Sequence, residues 1–286
     1  MAQVPSKVAA RISAAIKRFQ PIIASAKSRD ANESDTVIIV TDMLSEVFGY
    51  DKYSEITSEC SIRGTWCDLA IKIDGTFEYL IEVKAIGLEL KDSYTKQAVD
   101  YSANKGTDWV ILTNAEIWRI YKVTFSKPID SELIVEINFS ELNPKKSGDI
   151  ELLYNLTREG LMKSALGEFH TQQQALSRFF MGALVVSNPV LEMIRRELRR
   201  ISPDVRIDLE QIKSVLVNDV LKREVVESEK AEEARKKINR AAGKLLRARA
   251  AKQSIEPEKQ PEKIETKTER EETEPKSNKS FNPTPR

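Results

Sequence analysis

The chain of 286 residues carries 45 Lys and Arg against 44 Asp and Glu, a net charge of +1. That balance excludes a uniformly basic nucleic-acid-coating protein and assigns any polyanion contact to local patches. Two cysteines, Cys60 and Cys67, are too few for a disulfide framework or a thiolate zinc site, and they fit a reducing, cytoplasmic compartment. The longest apolar run, 179–186, is far shorter than the roughly 20 residues of a membrane helix.

Residues 1–29 hold Lys7, Arg11, Lys17, Arg18, Lys27 and Arg29 without one acid. Val8, Ile12, Ile16 and Phe19 recur at helical spacing, which predicts an amphipathic helix with its basic residues turned to solvent or to a phosphate backbone. A second helix is expected from about Ser34 to Phe48, with Val37, Val40, Met43, Leu44 and Val47 on its apolar face and Gly49 ending it. Three strands follow, at 54–62, 67–73 and 77–85, then a helix over Ser93 to Asn104. Strands at 108–114 and 117–123 come next, and 128–142 reads as an extended segment.

Pro, Ser, Gly and charge cluster at 143–149, which marks a domain boundary. Beyond it the pattern is helical over 150–227, with Asn188 before Pro189 and Asp208 as helix starts. Residues 228–252 continue as a basic, charged helix. Residues 253–286 hold too little apolar surface to fold, which predicts a disordered tail.

The register of the hairpin at 67–85 follows from its side chains. A three-residue loop at Asp74, Gly75 and Thr76 sets Leu69 against Ile81, Ile71 against Tyr79 and Ile73 against Phe77, one continuous apolar face. The other face then pairs Lys72 with Glu78 and Asp68 with Glu82, and Lys84 follows by the two-residue period. Two adjacent carboxylates repel by about 1 to 4 kcal/mol at about 4 Å. A hard divalent cation between them removes that cost, because Mg²⁺ binds through one or two carboxylates, waters and a phosphate oxygen. Lys84 would then hold the attacking water or the phosphate charge. Taken alone, the same three residues also describe a solvated strand face with a local ion pair.

Gln97 and Tyr101, at i and i+4 on the following helix, supply hydrogen-bond donors to one side. Glu33 stands just before the second helix, either within reach of a metal through water or as an acid favourable to the helix dipole.

With Glu33, Asp68, the Glu-Val-Lys run at 82–84 and Gln97 to Tyr101 in this order, about the first 125 residues resemble a PD-(D/E)xK nuclease. More specifically, they are similar to the N-terminal nuclease domain of the restriction subunit of type I restriction enzymes. The resemblance implies an α/β restriction-endonuclease-like core over 1–142, a central mixed sheet flanked by helices, followed by the helical region and the tail. It implies Mg²⁺-dependent cleavage of DNA, with Mn²⁺ as a substitute. Asp68, Glu82 and the Val83 backbone carbonyl would hold the metal, Glu33 would support it through water, Lys84 would be catalytic, and Gln97 and Tyr101 would hold the site and the DNA backbone.

Two features depart from that pattern. Cys67 precedes the aspartate where the family often has proline, and the sequence has no Gly-x-x-x-x-Gly-Lys-Ser/Thr phosphate loop, so a translocating motor is not expected. The implied partners are DNA and further restriction-system or phage proteins, with no membrane, and the helical region is a candidate surface for homo-oligomers. The alternative is a non-cleaving DNA-binding or scaffold module. His170, the single histidine, reads as a surface or capping residue, and Trp66 as a neighbour of the cleft. Two basic clusters stand out: Arg195, Arg196, Arg199 and Arg200, and a run from 235 to 252 that solvates a helix face or tracks phosphates.

Overall fold

A computed structural model describes residues 3–62, 65–125 and 128–253. The expected tail beyond residue 253 lies outside the described residues. The chain divides into two compact units, Met1–Val185 and Val186–Arg286. Among the described residues no helix is long and apolar enough to cross a membrane.

The first unit is mixed α/β. Helices α1 (Ser6–Ser28) and α2 (Glu33–Glu46) precede strands β1 (Ile56–Ile62), β2 (Thr65–Ile73) and β3 (Thr76–Val83). Helix α3 (Thr95–Lys105) leads to β4 (Trp109–Thr113), β5 (Ile117–Thr124) and β6 (Asp130–Asn138). The strands form one six-stranded sheet in sequence order. Every neighbouring pair is antiparallel except β3 and β4, which run parallel because α3 carries the chain back across the sheet.

Strand alternation divides β3 between two cores. Tyr79, Ile81 and Val83 face the layer that holds α1 and α2, where Ile12, Ile16, Phe19, Ile23, Val40 and Met43 are buried. Leu80 faces the second layer with Ala98, Val99 and Tyr101 of α3. The helical stripe of α1 is therefore the one its 3.6-residue spacing predicts, extended through Ala26. Its basic residues are largely neutralised within the unit: Arg11 pairs with Glu159, Arg18 with Glu46 and Lys27 with Glu116.

The hairpin corrects one expectation. The pairs Leu69–Ile81 and Ile71–Tyr79 form as predicted, but Lys72 then faces Phe77 and Ile73 faces Thr76. Asp74 and Gly75 both have positive φ, 49° and 81°, so the loop has two residues in the primed turn geometry that suits strand twist. A bulge that leaves Glu78 without an opposite residue absorbs the difference. The expected Lys72–Glu78 pair is absent, and the Lys72 ammonium lies 4.4 Å from the Phe77 ring centre.

The boundary expected at 143–149 also moves. Helices α4 (Ser147–Tyr154), α5 (Arg158–Leu161), α6 (Ala165–Ala175) and α7 (Arg178–Val185) belong to the first unit. Leu153, Tyr154, Leu156, Ala165 and Leu166 are buried in the same core as α1. Pro and Gly punctuate the chain there, yet the helices after them find the existing apolar layer.

Arg11 ties this extension down. Its guanidinium donates to both Glu159 oxygens at 2.7 Å and to the Val47 and Phe48 carbonyls. Arg11→Met is expected to lower stability by about 2 kcal/mol, since charge-assisted bonds to a half-exposed pair and two carbonyls are lost. Urea unfolding followed by fluorescence reads the midpoint shift, and an unchanged midpoint would reject the contribution.

The second unit holds α8 (Asn188–Ile201), α9 (Leu209–Val215), α10 (Arg223–Glu227) and α11 (Glu229–Gln253). Asp208 caps α9 in a capping box with Gln211. Helix α10 packs on α11, where Ala231 and Ala234 are buried.

Candidate active site

The antiparallel ladder of β2 and β3 ends at Leu69–Ile81. Beyond it the Val83 amide donates to the Asp68 Oδ2 carboxylate oxygen at 2.7 Å. An aspartate side chain thus replaces a strand carbonyl, which fixes that carboxylate at the open end of the hairpin. Lys84 N–H continues onto the Thr113 carbonyl of β4 at 2.8 Å.

The chain after Lys84 is held equally firmly. Thr36, fully buried on α2, accepts from the Ile86 amide at 3.1 Å and donates to the Asn32 carbonyl at 2.8 Å. Asn114 donates to the carbonyls of Ile86 and Leu88. The Thr36 contact fastens the start of α2, and so Glu33, to the chain that follows β3, and Asn114 fastens that chain to the turn between β4 and β5. Neither residue stands out in the sequence: Thr36 reads as a helix residue between apolar neighbours, and Asn114 as an ordinary turn residue.

Four predicted side chains meet there. Lys84 Nζ lies 2.8 Å from Glu82 Oε1 and 3.5 Å from Glu33 Oε2, with the Tyr94 ring 5.9 Å away. Glu33 occupies the first position of α2, whose cap is Asn32, and remains half exposed. Glu82 is only 6 % exposed, and among the described residues its second oxygen, Oε2, has no hydrogen-bond partner. A buried carboxylate oxygen left so is costly unless something positive reaches it.

Other expected members stand apart. Val83 contributes its amide to Asp68 while its side chain is in the core. Gln97 lies on α3, and its side chain is outside the described residues. Tyr101 is 1 % exposed and packs in the layer between α3 and the sheet, so it holds the helix in place and offers no open contact to a DNA backbone. The side chains of Cys60 and Trp66 are outside the described residues.

Burial pushes the Asp68 carboxyl above its ordinary range, against the Val83 amide and the Lys84 charge, which pull it down. Burial likewise raises Glu82; the hydrogen bond from Lys84 opposes this and the Asp68 charge reinforces it. For Lys84 burial favours the neutral amine, but the hydrogen bond to Glu82 and the charges of Glu82, Glu33 and Asp68 outweigh it and raise the ammonium pKa. In the metal-free protein these carboxylates therefore favour the charged form of Lys84.

In the metal-free protein Asp68 and Glu82 should accordingly contribute stability as pH falls through their raised folded values. Asp68 and Glu82 have folded pKa values above their unfolded ones, so between those values the folded state binds more protons and acid favours it. In thermal melts with EDTA, the wild-type midpoint is expected to climb relative to an Asp68→Asn/Glu82→Gln variant over that interval. A constant difference would show that these carboxyls are not shifted.

Among the described residues no group of three or more His, Cys, Asp or Glu is arranged to enclose a metal ion. Asp68 and Glu82 fit a cation that takes one or two carboxylates and keeps water or substrate oxygens for the rest. Three carboxylates, Glu33, Asp68 and Glu82, surround one ammonium, which leaves two negative charges uncompensated in this cluster.

The remaining nucleophile candidates do not compete. Burial, reinforced by the Glu82 charge, pushes the Cys67 thiol up to about 12, and it donates to the Ile81 carbonyl. His170 stacks edge-on against Trp109 at 6.2 Å, with Glu132 and Gln174 beside it. It is a packed side chain rather than a cap.

No protein-family model, curated protein or solved structure matches this chain.

Proposed function

We propose that the first unit is a Mg²⁺-dependent DNA nuclease of the PD-(D/E)xK type, similar to the nuclease domain of type I restriction subunits. The observation that carries this reading is the cluster itself: a buried Glu82 and a half-buried Asp68 that repel each other, the former with an oxygen unsatisfied among the described residues, beside a lysine whose charged form is favoured. The mixed sheet with a helix crossing between β3 and β4 also suits the restriction-endonuclease-like core.

In this reading Asp68 and Glu82 hold the metal, with the Val83 carbonyl as a further oxygen and Glu33 acting through water. When bound, Mg²⁺ supplies Lewis-acid polarisation of the phosphate and a more acidic water. The protein's own part rests on Lys84. As an ammonium it donates hydrogen bonds, so it stabilises charge on the scissile phosphate or orients the attacking water. The Val83 amide keeps Asp68 aimed while substrate enters. Thr36 and Asn114 hold the backbone that follows Lys84, at Ile86 and Leu88.

The test is cleavage of plasmid and linear DNA with Mg²⁺, Mn²⁺ or EDTA, beside Lys84→Ala. Cutting that needs the cation and the lysine supports the nuclease. One observation favours a second reading, a non-cleaving DNA-binding module: Lys84 already bridges Glu82 and Glu33. Equal inactivity of both proteins with DNA still bound would select it.

A further inference from the structure

We infer that the exposed basic side of α11 is a sequence-independent binding surface for the phosphate backbone of nucleic acid. The helix segregates its charges. Glu229, Glu232 and Glu233 occupy its first turns, and from Ala234 to Gln253 there are eight basic residues and no acid. Lys236, Arg240 and Lys244 are exposed and follow one another at intervals of four, so they share one side of the helix. Arg247, Arg249 and Lys252 continue the basic sequence along it. At 25 residues the helix is about 37 Å long.

Ion pairing separates this run from the other basic clusters. On α8, Arg195 pairs with Glu192, while Arg196 and Arg200 both reach Glu197. On α1, Arg11, Arg18 and Lys27 find Glu159, Glu46 and Glu116. Around Arg240 and Lys244 no acid lies within one helical turn in sequence, so their charge is not cancelled locally.

The apolar residues decide between polyanions. A helix that lies in a membrane surface buries large side chains such as Trp, Phe and Leu. Here the side away from the lysines is in part already covered, with Ala231 and Ala234 buried, and although Leu245 and Leu246 follow in the sequence, α11 contains no aromatic residue. A partner that offers dense charge and asks for no apolar insertion fits this surface. Duplex nucleic acid, with one charge per about 1.7 Å of its axis, is such a partner. This binding needs no metal and is independent of cleavage.

The experiment is fluorescence anisotropy of labelled duplexes of unrelated sequence with the full chain, in EDTA, across a KCl series. For a Lys236→Gln/Arg240→Gln/Lys244→Gln variant, the slope of log affinity against log salt is expected to flatten by about 2 to 3, at about 0.9 per phosphate contact. Affinity at low salt should fall on the order of tenfold or more. A charge-keeping Lys236→Arg/Arg240→Lys/Lys244→Arg variant should match the wild type, and running the assay in EDTA separates this surface from the metal-dependent nuclease reading. Glutamine is a good helix former, so circular dichroism should show α11 intact. An unchanged slope in the neutral variant would overturn the inference. Anionic phosphatidylglycerol vesicles binding as tightly as duplex, through the same three residues, would overturn it in favour of a lipid surface.

Discussion

Replacing Lys84 with alanine should reduce divalent-cation-dependent DNA cleavage by on the order of 10²- to 10³-fold, the usual loss when one preorganised charge is removed from a transition state. Lys84 is held on both sides, by its amide on Thr113 and by its ammonium between Glu82 and Glu33, so the charge is in place before substrate arrives. The loss should appear in the single-turnover rate at saturating DNA. Lys84→Arg should recover part of it, because the charge remains while the planar fork cannot reproduce the ammonium's position. Folding should survive, since Glu82, already raised by burial, can take up a proton when its cationic partner is gone. A variant that cleaves at the wild-type rate would reduce Lys84 to an ion-pair partner.

The raised ammonium pKa narrows the chemistry in a way the sequence does not show. From the residues alone, Lys84 could orient water, deprotonate it or stabilise phosphate. In the metal-free protein three carboxylates around one lysine weigh against the second option, because each favours the protonated amine.

Legibility from sequence follows the range of the interactions. The stripe of α1 and the Leu69–Ile81 and Ile71–Tyr79 pairs depend on local periodicity, and both are as the pattern predicts. Asp68, Glu82 and Lys84 converge for the same reason, by two-residue alternation at a hairpin end. What escapes prediction depends on partners distant in sequence. Nothing in the sequence around Asp68 tells that its carboxylate will replace a strand carbonyl for Val83. Tyr101 shares a helical face with Gln97, but which side of α3 meets the sheet is decided by Leu80, Val110 and Leu112, and that choice buries the tyrosine. The boundary at 143–149 misleads because turn residues mark where elements stop without showing whose core the next ones join.

Glu82→Gln should lower cleavage as severely as Lys84→Ala while leaving metal-free stability at neutral pH unchanged or higher by up to about 1 kcal/mol. The two directions have one cause. Ionised Glu82 is buried, repelled by Asp68 and, among the described residues, left with an unsatisfied Oε2, so Lys84 at Oε1 answers only part of its charge in the apo fold. The neutral amide removes the repulsion and keeps the shape, and Lys84 retains Glu33. Mg²⁺ should therefore raise the wild-type melting point, by the equivalent of about 2.7 kcal/mol at a hundred times its dissociation constant, and leave Glu82→Gln unmoved. A purely structural carboxylate predicts the reverse: the variant melts lower because the Lys84 bond is lost, and Mg²⁺ shifts neither protein. Differential scanning fluorimetry with and without Mg²⁺ separates the two without any DNA in the cuvette, so the outcome bears on the metal site even if the cleaved substrate is of a kind not yet tried.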